Sequence, residues 1–207
     1  MKNIFRTTAA AALLVAMAAG QAHASDPKGN YIVRGIGARP CSDYIKAVNT
    51  SADDVRPYLS WMEGYLTGIN RLQAKTFDVS PVTSAALVGH MVRNYCSTQP
   101  ELRFETAVAQ LMNFFDPYKV PEQSQLVEVT VGDANAAIRQ STLKWMQTQM
   151  KAQGFFAGEP DGLYGASTKA ALVAYQKANK IPETGVPDAP TLVQFVQKDS
   201  EAKGKKP

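Results

Sequence analysis

Few residues in this chain can do covalent chemistry. Two histidines and two cysteines stand among 207 residues, and one of the histidines, His23, lies in an N-terminal segment that reads as a removable leader. His90 is then the single imidazole available as a general base. No G-x-S-x-G turn is present to expose a nucleophilic serine to it. A catalytic zinc needs three protein ligands and an open position, which one histidine does not supply once the two cysteines are bonded to each other. Cys41 and Cys96 form an even pair, and in an oxidising compartment such a pair is most simply one disulfide. That bond would remove the thiolate a cysteine nucleophile requires. The 18 acidic residues always allow a carboxylate pair at glycosidase separation, yet their order singles none out. The expectation is a protein that is not an enzyme and carries neither metal nor cofactor.

The leader is defined by Lys2 and Arg6, an apolar run over residues 9–19, and a small-x-small A-H-A ending at Ala24. The run is shorter than the roughly 20 apolar residues that span a bilayer. The mature chain is therefore expected to have no transmembrane segment and to be exported, to a bacterial periplasm. Cleavage removes two of the 22 basic residues and none of the 18 acidic ones, so the net charge falls from +4 to +2. The remaining Lys and Arg are scattered among acids, which argues against a nucleic-acid surface. The terminal K-G-K-K-P reads as a solvated tail.

The elements that must position any site fall into two patterns, predicting a mainly α fold. Residues 25–116 read as a disulfide-linked all-α domain. Apolar residues recur at three-four spacing in four sets: Cys41, Tyr44, Ile45 and Val48; Val55 through Leu72; Val88 through Tyr95; and Phe104 through Phe115. Asn49-Thr50-Ser51, Ser80-Pro81 and Gln99-Pro100 mark the breaks. Residues 117–137 read as a linker with an extended segment, because Val127, Val129 and Val131 alternate with polar neighbours. Residues 31–36 are the other stretch with β character, so the expected pairing is between these two. Residues 138–197 read as three short helices around a small core, and 198–207 as a charged tail.

The stretch G-F-F-A-G-E-P-D-G-L-Y-G-A-S-T-K-A-A-L-V-A-Y-Q, from Gly154 to Gln176, carries the most specific spacing. Gly158, Gly162 and Gly165 allow a sharp turn, Asp161 can accept from backbone N–H groups further along it, and Ser167 or Thr168 is placed to cap the next helix. With Thr184, Gly185, Asp188, Thr191 and Leu192 following in order, the stretch resembles the peptidoglycan-binding type 1 domain family. Trp145 departs from that family's pattern, which does not require a bulky aromatic there. The resemblance implies a non-catalytic anchor for peptidoglycan, with Asp161, Gly162, Tyr164, Gly165, Tyr175 and Gln176 as its candidate contacts. Two roles stay open for several of these: Asp161 and the glycines either hold the loop or touch ligand, and Tyr175 is either a core ring or a ring that stacks on sugar.

Residues 39–115, with Cys41, Trp61, Gly64, Tyr65, Cys96 and Pro100, are similar to the HdeA-type family of small periplasmic acid-stress chaperones. That similarity implies a domain that binds a periplasmic protein partner or unfolded clients, with Trp61 and Tyr65 as candidate contacts. An acid-released chaperone would need carboxyl groups held low in the folded state, among Asp43, Asp53, Asp54, Glu63, Asp78, Glu101 and Glu105. Three functions follow: a wall-binding protein with a partner, an acid-stress chaperone placed at the wall, and a wall hydrolase whose catalytic residues do not declare themselves.

Overall fold

A computed structural model describes residues 26–204; residues 1–25, which include the segment read as a leader, and residues 205–207 lie outside the described residues. The segment from Val33 onward is one compact unit. Residues 26–32 form no part of it; there Asp26 closes a turn by accepting the Lys28 and Asn30 N–H groups at 2.9 and 2.7 Å. Among the described residues, no helix is long and apolar enough to cross a membrane.

Four helices follow the expected stripes: α1 (Cys41–Thr50), α2 (Ala52–Leu72), α3 (Ala85–Thr98) and α4 (Phe104–Phe115). Ser51 caps α2 by accepting from the Asp54 N–H at 3.2 Å, and Asp53 and Asp54 in its first turn face the positive end of the helix dipole. Ser84 caps α3 in the same way, through the Leu87 N–H. At the centre the rings of Tyr44, Tyr58 and Phe104 meet with centroids 4.7–5.0 Å apart, tilted geometries that add roughly 0.5–1.5 kcal/mol per pair beyond area burial. The Tyr44 hydroxyl donates to the Gly89 carbonyl at 2.9 Å, and burial pushes its pKa up to about 12.

Cys41 and Cys96 are bonded, joining the first residue of α1 to the end of α3 across 55 positions. Backbone bonds complete that corner, where Cys41 N–H reaches the Leu102 carbonyl at 2.7 Å and Phe104 N–H the Arg39 carbonyl at 2.8 Å.

The extended segment is a hairpin of β1 (Leu126–Val131) and β2 (Ala134–Arg139), antiparallel with Val131 opposite Ala134 and Leu126 opposite Arg139. Gly132, at φ 58°, takes the first central place of the two-residue turn, where positive φ suits glycine. This corrects the expected pairing with residues 31–36. The true partner, A-N-A-A-I-R, is alanine-rich and weak in β propensity, and it forms a strand because β1 precedes it by a tight turn. The stretch read as a linker is held along its length. Val120 exchanges backbone bonds with Asp78 at 2.8 and 3.0 Å, Thr83 Oγ1 donates to the Ala137 carbonyl at 2.7 Å, and the Arg139 guanidinium lies 5.2 Å from the Phe77 ring centre and 4.0 Å from Asp78.

Three further helices complete the chain: α5 (Gln140–Ala152), α6 (Ala166–Ala178) and α7 (Ala189–Ala202). Leu143, Met146, Met150, Leu172, Phe195 and Val196 form their shared core. Trp145 turns away from it toward Tyr118, with rings 5.4 Å apart, while keeping a 6.1 Å edge contact with Phe195.

On the chain-entropy account, closing a loop of this length stabilises the fold by about 4 kcal/mol. Urea unfolding followed by tryptophan fluorescence, with and without reductant, is expected to show a loss of that order.

Candidate functional site

The loop between α5 and α6 is built around one buried amide. Gln147 sits on the apolar stripe of α5, between Met146 and Met150, and is fully enclosed. Its Oε1 accepts the N–H groups of Asp161 and Gly162 at 2.9 and 2.7 Å. Its Nε2 faces three acceptors: the Asp161 carboxylate at 3.2 Å, the Leu163 carbonyl at 3.0 Å and Thr168 Oγ1 at 3.0 Å. A carboxamide has two donor hydrogens and two acceptor lone pairs, so this side chain is used to capacity. The loop backbone thereby finds inside the protein the partners it would otherwise seek in water.

Asp161 accepts the Leu163 N–H at 2.8 Å, the turn-closing role expected of it. That bond, followed by the Gln147 amide, holds its carboxyl below the usual carboxylate value. Gly162 is required twice over: its φ is 78°, and a Cβ there would lie 2.5 Å from the Gln140 carbonyl oxygen. The other expected glycine demands take a different form. Gly165 has an extended φ of −138° that any residue adopts, with open space where a Cβ would stand, whereas a Cβ at Gly158 would fall 2.8 Å from the Phe156 ring. Thr168 does not cap α6, whose N-cap is Gly165 without a side-chain bond. It is buried, donating to the Leu163 carbonyl at 3.1 Å.

The loop between α6 and α7 repeats the device. Gln176 is fully buried; its Oε1 accepts the Gly185 N–H at 2.8 Å, and its Nε2 faces Thr184 Oγ1, the Val186 carbonyl and Thr191 Oγ1 at 3.0, 3.0 and 2.8 Å. Asp188 caps α7 through the Thr191 N–H at 3.1 Å. The Tyr164 hydroxyl then donates to the Gly185 carbonyl at 2.6 Å, joining the two loops.

Of the six candidate contacts, Asp161, Tyr164 and Gly165 reach the surface, while Gly162, Tyr175 and Gln176 do not. The expectation of ligand contact for Tyr175 and Gln176 is corrected by their enclosure. Tyr175 lies flat on Phe195 at 3.8 Å and takes the edge of Phe155 at 5.7 Å. Its hydroxyl has no hydrogen-bond partner among the described residues, and burial pushes its pKa well up. Leu163, not singled out in the sequence, is the exposed apolar side chain of the loop, at 58%. Gln147 was also missed; a polar residue inside an apolar helical stripe was the signal.

Trp61 and Tyr65 lie together on α2, half-buried, with rings stacked at 5.2 Å. The indole Nε1 donates to the Arg34 carbonyl at 3.0 Å, and Tyr65 donates to the buried Glu105 at 3.0 Å. Gly37 lies directly against the indole; a Cβ there would fall 2.0 Å from it. His90 is exposed on α3. Among the described residues no three of His, Cys, Asp and Glu are grouped to hold a metal ion.

Two loops, each held by an enclosed glutamine and bridged by a tyrosine, define a small three-helix module that presents a rigid turn. Residues 139–194 match the family described as "Putative peptidoglycan binding domain". Neither a curated protein nor a solved structure matches the chain.

Replacing Gln147 with leucine leaves two loop N–H groups without an acceptor and is expected to cost about 3 kcal/mol, read from the denaturant midpoint. Tyr175→Phe removes a buried hydroxyl that has no partner and is expected to leave the midpoint unchanged or slightly raised.

Proposed function

We propose that the protein is a non-catalytic, exported wall-binding protein whose α5–α7 module grips peptidoglycan in the periplasm, while its first four helices engage a protein partner. The carrying observation is the coincidence of the family match over residues 139–194 with a surface turn that is rigid and partly apolar. Leu163 and Tyr164 project from a backbone locked at Asp161, Gly162 and Leu163 by Gln147, so little ordering entropy is left to lose on binding. The outer edge of the Trp61–Tyr65 stack is the corresponding surface for a partner, since rigid aromatics are the side chains that anchor interfaces.

An acid-released chaperone is supported less well. It needs carboxyl groups of the helical half held low in the folded state. Asp78 is shifted upward instead, by desolvation, against the pull of the Ser80 N–H and Arg139. A carboxyl raised in this way adds stability as pH falls through its folded pKa, the reverse of an acid trigger.

Co-sedimentation of the full chain with purified sacculi tests the wall reading. Wild-type protein is expected to pellet, and Leu163→Asp, an exposed position whose change spares the core, to lose about tenfold in affinity, the worth of one buried leucine contact. Wild-type protein that stays in the supernatant would overturn the reading. Release of fragments from labelled peptidoglycan would replace it with a hydrolase.

A further inference from the structure

Away from the two loops, a groove of about 740 Å³ opens between α3, α4 and α7, within the size range of sites that enclose a small ligand. Its floor is apolar and partly aromatic, from Tyr95, Leu111, Phe114, Tyr118, Val193 and Val196. Four carboxamides, Asn94, Gln110, Asn113 and Gln197, stand among these and are exposed. Among the described residues, the side-chain amide of none of the four has a protein hydrogen-bond partner. Among the described residues, no Asp, Glu, Lys, Arg or His lines the groove. The charges that reach Tyr118 are already matched: Asp199 accepts its hydroxyl at 2.7 Å and the Lys203 ammonium at 2.5 Å.

We propose that this groove is a second binding site, for an uncharged N-acetylated glycan strand. A carboxamide offers a donor and an acceptor side by side, the pattern that hydroxyl and acetamido groups complement. Aromatic and aliphatic floor residues take the apolar faces of sugar rings. A wall stem peptide carries carboxylates and amines, and placing them in a groove without counter-charge is costly. Most of the lining lies outside the residues of the family match, on α3 and α4, at Tyr118, and at Val196 and Gln197, so the site belongs to the whole compact unit and not to the three-helix module. The choice of wall glycan as the source rests on the wall-binding reading above.

The test is calorimetric titration of the full chain with a short N-acetylglucosamine oligomer, with its de-N-acetylated cationic counterpart, and with a free stem peptide. Saturable binding of the N-acetylated oligomer is expected, weaker by about tenfold for the cationic one. The double variant Gln110→Ala/Gln197→Ala, at exposed positions, is expected to lose about fivefold, the worth of one net hydrogen bond, with an unchanged melting temperature. Absence of oligomer binding, full binding by the double variant, or preference for the stem peptide would each overturn the proposal. Sacculi that retain the wild type while the oligomer fails to bind would sink the groove alone. Oligomer binding without retention on sacculi would sink the wall reading and leave the groove as a site for a free glycan.

Discussion

Two enclosed carboxamides decide what the last third of the chain can be. An amide in an apolar core is destabilising unless its donors and acceptors are met, and Gln147 and Gln176 are met by loop backbone, the Asp161 carboxylate and the hydroxyls of Thr168, Thr184 and Thr191. The dependence runs both ways. Without the loops, two helices would carry polar groups on their buried faces; without the glutamines, two glycine-containing turns would have unpaired N–H groups at the protein's edge. Helix packing and loop shape are therefore one interaction, made twice with the same residue types: glutamine on the helix, Asp and Gly in the loop, and a buried threonine on the next helix. Tyr164 ties the two copies through the Gly185 carbonyl.

A second constraint makes this module part of a larger body. Tyr118 leaves the end of α4 and meets α7 at the Val196 carbonyl and Asp199, while Trp145 covers its ring from α5. The hairpin supplies the other seam, with Arg139 set against Phe77 and Asp78. The groove between α3, α4 and α7 exists only because these seams bring helices from both ends of the chain side by side. A truncation at the end of the hairpin's first strand would strip Tyr118 of its cover, so the module and the helical half are best probed by point changes in the intact chain.

The helices were legible because burial on a helix leaves a 3.6-residue period, and the stripes of α1 to α4 are long enough to show it. The disulfide was legible because the chain holds two cysteines, an even pair most simply bonded to each other. The second strand was not, since four of its six residues are Ala or Asn and its pairing comes from a turn and from docking on residues 77–83. Direction was the harder failure in the site. Tyr175 and Gln176 have the composition of a sugar contact, yet both lie on the inner stripe of α6 beside Leu172, and the stripe outweighs the side-chain chemistry. Trp145 was noticed as a departure from the family pattern; the structure explains it as the residue that reaches beyond the family's own module to Tyr118.

Two carboxylates respond to acid in opposite senses, and their places in the fold give that difference a meaning. Asp161 is held low by the Leu163 N–H and the Gln147 amide, so the stability it adds to the loop is present above the usual carboxylate pKa, about 3.9, and is lost as pH falls through the lower folded value. Asp78 at the hairpin seam is held high by desolvation, so the folded protein takes up that proton more readily than the unfolded chain and gains stability there as pH falls. Acid thus removes stability at the Asp161 turn and adds it at Asp78. The surface on which wall binding is proposed is shaped by the ionised carboxylate of Asp161, whereas protonation at Asp78 favours the hairpin seam.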